Sequence, residues 1–209
     1  LITLIRDFGK GDIKVKKHEL DVRSFLNPMP ATLVGANIEG KPNYLVIAFC
    51  GIVNAHPPIL SVSINQSHYT NIGIIENKTF SVNIPSADMA IKTDYCGLVA
   101  GGEVDKSAVF NSFYGKLETA PMIQECPLNL ECRLIQTMEF DVDTAFIGEI
   151  VSVYTEERYL TDGRLDIKKI DPIVFATHER AYYRIGDYIG QAWNIGAAYE
   201  GKDAIKKKK

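Results

Sequence analysis

The polar run Asn65-Gln66-Ser67-His68, continued by Tyr69-Thr70-Asn71, holds the side chains best suited to chemistry. It follows an apolar segment, residues 59–64, that carries Ser61 and Ser63, and it precedes Ile72, Ile74 and Ile75. This order reads as a β-strand, a donor-rich loop and a short helix. Thr70 or Asn71 fits the N-cap position, because a short side-chain oxygen can satisfy a backbone N–H that the first turn leaves free. A helix N-terminus attracts anions through such amides and its dipole. Residues 63–70 would therefore suit a phosphomonoester. The same residues also suit an ordinary capped helix in a connecting loop.

The elements that must position this loop are mostly strands. Thr32–Ile38 is rich in β-branched residues, residues 39–42 form a turn, and residues 44–53 read as the antiparallel partner strand. Pro57-Pro58 interrupts strand structure, since neither proline donates a backbone hydrogen bond. Phe80, Val82 and Ile84 alternate with Thr79, Ser81 and Asn83, and Leu128, Leu130, Cys132 and Leu134 alternate with Asn129, Glu131 and Arg133. Both are the period-two pattern of half-buried strands. Between them, residues 86–115 read as a helix capped by Ser86, a break at Gly101-Gly102, and a short helix containing Val109, Phe110 and Phe113. Residues 146–154, Ile173–Ala176 and residues 180–185 complete the strands, the last read as the closing barrel strand, and residues 13–15 read as a leading arm. Many short strands with few helices predict a mainly β fold with α insertions, an antiparallel barrel rather than a parallel α/β sheet.

With 209 residues, one domain is expected, spanning residues 27–195 between an N-terminal arm and a C-terminal tail. A net charge of −3 gives no footprint for nucleic acid, and the lysine run at 206–209 reads as a solvated tail. No apolar run reaches the roughly 18 residues needed to span a bilayer. The first residues contain no charged-then-apolar leader, so a cytoplasmic location is expected. Cys50, Cys96, Cys126 and Cys132 match no zinc spacing, and His18, His56, His68 and His178 stand apart, so reduced structural thiols and no metal site are expected. A thiol enzyme using Cys50 or Cys96 would need a neighbouring base, and none is visible.

The motifs N-P-M-P-A-T-L-V-G-A (27–36), G-K-P-N (40–43), N-A-H-P-P (54–58), Y-T-N-I (69–72), T-F-S-V-N-I-P (79–85), G-G-E-V-D-K (101–106) and A-Y-Y-R-I-G (181–186) occur in an order that resembles the flavin reductase-like, FMN-binding split-barrel family. Within it the sequence is most similar to the flavoredoxin branch. The resemblance implies a Greek-key split barrel and bound FMN. It implies cofactor contacts from Asn43, Phe49, Cys50, Ser63, Ile64, Asn65, His68, Thr70, Asn71, Lys106 and one of Tyr182 and Tyr183, of which Tyr183 is the expected residue. Phe49 would stack on the ring, and Lys106 would place a cation near the flavin N1; by residue type alone a lysine in a glycine-rich loop is simply solvated. His68 stands where relatives often carry arginine, Ala48 where serine is frequent, and Asp143 near a position that is often histidine. The resemblance also implies a homodimer with each FMN near the interface. NAD(P)H or a redox protein would supply electrons. A fixed FMN carrier that binds no nicotinamide, and a barrel that has lost its flavin, are the alternatives.

Overall fold

The computed structural model describes residues 17–199; the leading arm expected at residues 13–15 and the lysine tail lie outside them. The chain runs through β1 (Met29–Pro30), β2 (Thr32–Ile38), β3 (Lys41–Ile47), β4 (Cys50–Asn54) and β5 (Ile59–Asn65) into α1 (Thr70–Asn77). β6 (Thr79–Ile84), α2 (Ala90–Leu98), β7 (Ser112–Phe113) and β8 (Met122–Ile123) follow, then the long hairpin β9 (Leu128–Glu139) and β10 (Asp143–Thr155). The short β11 (Leu160–Thr161) and β12 (Arg164–Leu165), the single turn α3 (Ile167–Ile170), β13 (Ile173–Ala176) and β14 (Ala181–Arg184) complete the fold.

Seven antiparallel strands form the main sheet in the order β3-β2-β6-β9-β10-β5-β4. β3 and β4 lie at its opposite ends, yet only Ala48 and Phe49 separate them in the chain. Two residues reach about 7 Å when extended, so the two ends of the sheet must meet, and the sheet is rolled into a barrel. The Ser63 N–H donates to the Phe49 carbonyl (2.8 Å), extending the β4–β5 ladder to the point where the chain crosses from β3. The single strand expected over residues 44–53 is thus two strands, broken where the chain crosses from one end of the sheet to the other. The architecture is a split β-barrel.

Alternation places the barrel core. Leu60, Val62 and Ile64 are buried while Ile59, Ser61 and Ser63 are half-buried, and Phe80, Val82, Cys132 and Phe146 join them inside. α1 lies against β2 at backbone contact distance. A Cβ on Gly73 would stand 2.3 Å from the Asn37 carbonyl oxygen, so only glycine permits this approach. A second core outside the barrel joins Leu33 and Tyr44 to Cys96, Phe110, Ile123 and Cys126, with the Tyr44 and Phe110 rings edge to face at 5.7 Å.

Two further expectations are corrected. Residues 106–113 form turns leading into β7, because Phe110 is drawn inward against Tyr44 and no amphipathic helix face remains. β14 is not a barrel strand; it pairs with β13 in a separate three-stranded sheet, β1-β13-β14. Among the described residues no helix is long and apolar enough to cross a membrane.

Candidate functional site

α1 begins at Thr70, with Tyr69 in the cap position and no side-chain cap. The expectation that Thr70 or Asn71 caps the helix fails because both side chains are engaged elsewhere. Thr70 Oγ1 accepts from Asn43 Nδ2 (2.8 Å), and Asn71 Nδ2 donates to the Asn65 carbonyl (2.8 Å). The Asn71 and Ile72 amides turn back to the His68 and Tyr69 carbonyls (3.2 and 3.1 Å). The Tyr69 and Thr70 amides are left with no acceptor among the described residues. Asn65 shapes the approach: its Oδ1 accepts from the Ser67 amide (3.0 Å) and hydroxyl (2.7 Å), and its carbonyl accepts from the His68 amide (3.0 Å).

These amides border a cleft of about 760 Å3 between residues 66–76 and the segment 99–106. That volume falls in the range of about 300–1,000 Å3 common for small-molecule and cofactor sites. Lys106 lines it and is only 3% exposed. Its Nζ donates to the Cys96 carbonyl (2.7 Å) and the Tyr44 carbonyl (3.1 Å). No carboxylate lies within ion-pair distance of it among the described residues. Burial pulls its pKa down, because the charged form has lost water. His68, also in the lining, is held below the usual histidine range by desolvation first and by the Lys106 charge second, with Asp143 opposing.

Tyr69 divides this cleft from a smaller chamber of about 210 Å3, lined by Asn43, Lys41, Asp105 and again by Gly101, Gly102 and Lys106. The Tyr69 ring lies over the bare backbone of the two glycines: a Cβ on Gly101 would be 3.1 Å from Tyr69 Cδ1, and one on Gly102 would be 3.6 Å from Cδ2. Lys41 and Asp105 form an exposed ion pair (3.0 Å) at the chamber rim.

Of the residues expected from sequence, the structure brings His68, Thr70, Asn71 and Lys106 to the cleft, Asn43 to the adjoining chamber, and Asn65 beneath the loop. Phe49 is 41% exposed at the barrel seam, and Ser63 pairs with it through the backbone. Neither lines the cleft, nor does Ile64, which is fully buried in the barrel. Cys50 packs against the barrel core, where burial pushes its thiol up to about 11; Cys96 is likewise pushed up to about 11. Inert thiols are what such burial produces. Tyr183 is half exposed, and its hydroxyl bonds Glu179; Tyr182 instead donates to Asp94 Oδ1 (3.0 Å) on α2. Sequence reasoning missed Tyr69 and the exposed pair Ile72 and Ile75, although Tyr69 stands inside the Y-T-N-I motif.

A flavin reductase like domain matches residues 23–184. The chain belongs to the flavin reductase like family. It is 50% identical to a flavoredoxin from Methanosarcina acetivorans, whose crystal structure superposes with a TM-score of 0.85 over 87% of this chain and 98% of that one. It is 35% identical to the flavoredoxin of Desulfovibrio vulgaris, with a TM-score of 0.81 over 87% of this chain and all (100%) of that one. These matches place it in the flavoredoxin branch. The FMN-binding protein of Thermus thermophilus, 21% identical with a TM-score of 0.73 over 85% of this chain and 97% of that one, shares the fold. Family membership carries a flavin-linked redox role.

Proposed function

We propose that the cleft binds FMN and that the protein passes electrons through it. The carrying observation is Lys106, a buried cation without a carboxylate partner among the described residues, in the same cleft as the Tyr69 and Thr70 amides, which find no acceptor among them. A buried charge without a counter-ion is costly unless a ligand completes its environment. Two anion-favouring positions in one cleft suit a ligand with a phosphate at one end and an electron-accepting ring at the other. The Tyr69 and Thr70 amides and the His68 side chain would hold the phosphate. Lys106 would face the N1 and C2 carbonyl edge of the ring, where a positive charge favours electron uptake. FMN, when bound, supplies a ring that accepts a hydride or electrons and releases them to an acceptor. The description of the Thermus thermophilus neighbour as FMN-binding supports this choice of flavin.

NAD(P)H and a redox protein are the two donors to be distinguished. The visible spectrum of the FMN-reconstituted protein, recorded without oxygen on addition of NADH and then NADPH, separates the two. Flavin that stays yellow until a protein or chemical reductant arrives supports the carrier; rapid bleaching identifies a reductase.

A homodimer is part of the proposal. Ile72 and Ile75 on α1 and Phe140 and Val142 at the β9–β10 turn are exposed, and Gln66 joins that turn to the cleft loop through the Phe140 carbonyl (2.7 Å) and the Val142 carbonyl (3.0 Å). An apolar face beside the cleft is what a partner subunit would cover. Light scattering at micromolar concentration should give a dimer mass; a monomer would count against it.

A further inference from the structure

Tyr182 stands on β14, outside the barrel, and its hydroxyl donates to Asp94 Oδ1 on α2 (3.0 Å). Its ring is fixed in turn against Phe175, its cross-strand neighbour on β13, with centroids 5.5 Å apart. Burial, with the Asp94 hydrogen bond adding to it, pushes the Tyr182 pKa up to about 12, so the hydroxyl keeps its proton and remains a donor at neutral pH. Two residues along the same helix, the Cys96 carbonyl lies in the last turn, where no intrahelical N–H reaches it. Lys106 Nζ supplies the missing donor (2.7 Å). The cation therefore sits at the negative end of the α2 dipole and takes its place from where that helix ends.

α2 is otherwise held lightly. Of its nine residues only Thr93 and Cys96 are buried, and Ile91 and Leu98 are 87% and 75% exposed. Apart from Lys106, the side-chain hydrogen bonds that tie it to the rest of the chain, among the described residues, are Lys92 Nζ to the Val109 carbonyl (3.1 Å) and Tyr182 to Asp94. We propose that Tyr182 is a positioning residue for the Lys106 cation: its hydroxyl pins Asp94, which fixes the last turn of α2 and with it the Cys96 carbonyl that holds Lys106 Nζ in the cleft. The redox consequence rests on the flavin reading above. With the pin in place the charge is held where it favours electron uptake by a bound ring; without it Lys106 is shared with solvent and that preference weakens.

The test uses Tyr182→Phe, which removes one oxygen and no charge, with Arg184→Gln as a control. Arg184 lies on the same strand and bonds Asp171 rather than α2. In FMN-free protein, lysines are labelled with limiting acetic anhydride and the rates are read by peptide mass spectrometry. Relative to the exposed Lys116, Lys106 should label about tenfold faster in Tyr182→Phe than in wild type, and at the wild-type ratio in Arg184→Gln. In FMN-loaded protein, the midpoint potential is read by dye equilibration. Lys106→Met should lower the preference for reduced over oxidised flavin by about tenfold, about 30 mV for a two-electron couple, and Tyr182→Phe should lower it by about threefold, about 15 mV. Added to Lys106→Met, Tyr182→Phe should cause no further shift, because both act through one charge. A Tyr182→Phe shift that persists in the Lys106→Met background, an equal shift in Arg184→Gln, or an unchanged Lys106 labelling ratio overturns the proposal. An unchanged potential in Lys106→Met, or wild-type protein that takes up no FMN, overturns the flavin reading instead, and the labelling ratio alone then decides whether Tyr182 holds the cation.

Discussion

Beneath the 116–123 segment, each side-chain oxygen and nitrogen of the enclosed Ser81, Asn83 and Glu131 has a hydrogen-bond partner, whereas at the cleft, among the described residues, Asn43 and Asn71 each keep an unpaired oxygen and Lys106 a proton to spare. Asn83 donates to the Leu33 carbonyl and Ser81 Oγ (2.9 Å each) and accepts from the Ile123 amide (3.1 Å) and Asn129 Nδ2 (2.8 Å). Glu131 takes the Leu117 amide on one oxygen (2.7 Å) and the Lys116 amide on the other (2.9 Å). At the cleft, among the described residues, Asn71 Oδ1 is buried without a partner, Asn43 Oδ1 has no donor, and Lys106 has no carboxylate. Both regions hold buried polar groups, which fold stability alone would disfavour. Completeness separates them: a closed network fixes a loop, and an open one is shaped for something that arrives later.

The largest effect should come from breaking the closed network. Glu131→Ala removes the acceptor of the Lys116 and Leu117 amides and opens a space in a fully buried position, and should lower unfolding stability by about 3 kcal/mol, read from urea denaturation. The fraction that remains folded should bind FMN as before. Loss of flavin affinity in folded Glu131→Ala protein would blur the distinction between the two regions.

Lys106→Met should act in the opposite sense on the flavin-free protein. Removing an uncompensated buried charge for an apolar side chain of similar length should leave stability unchanged or raise it by about 1 kcal/mol. A clear drop in the urea midpoint would mean that Lys106 is structural.

The smallest expected effect concerns His68. Its folded-state pKa is depressed, so the unfolded chain binds the proton more readily. The stability it contributes is present above the unfolded value of about 6.5 and is lost as pH falls from there through the folded-state value. His68→Gln should flatten the decline in the urea midpoint between about pH 7.5 and 5.5. An anion in the cleft reverses the sign at this residue by favouring the charged imidazole, so FMN should bind more tightly as pH falls across that window, and less steeply so in His68→Gln. A pH profile identical in wild type and variant would remove His68 from the account.

Much of the barrel could be read from local pattern. Alternation at Thr79–Ile84 and Leu128–Leu134 marked true strands, although β6 is buried on both faces rather than half-buried, and a helix does follow Thr70, although of its isoleucines only Ile74 packs inward while Ile72 and Ile75 are exposed. The break at Ala48-Phe49 was hidden because Ile47, Ala48, Phe49 and Cys50 form one apolar run, and nothing local says that the sheet closes there. Val109, Phe110 and Phe113 mimicked a helical spacing while Phe110 was filling the space beside Tyr44. The 65–71 loop was legible as donor-rich from type and order, whereas Lys106 stood out only through the resemblance, since its type alone reads as solvated. Tyr69 was not, since an aromatic residue before a helix looks like packing until its ring is seen over Gly101 and Gly102. The carbonyls that hold Lys106, on Tyr44 and Cys96, lie 62 and 10 residues away in sequence and leave no motif.

The central claim is that the open network around Lys106 is a flavin site, and titration of apo-protein with FMN, followed by quenching of flavin fluorescence in wild type and Lys106→Met, tests it most directly. The account predicts saturable one-to-one binding to wild type and an affinity lower by about tenfold or more in the equally stable variant, the scale of one charge-assisted hydrogen bond. Equal affinity in the two proteins, or no FMN binding by wild type, would contradict it.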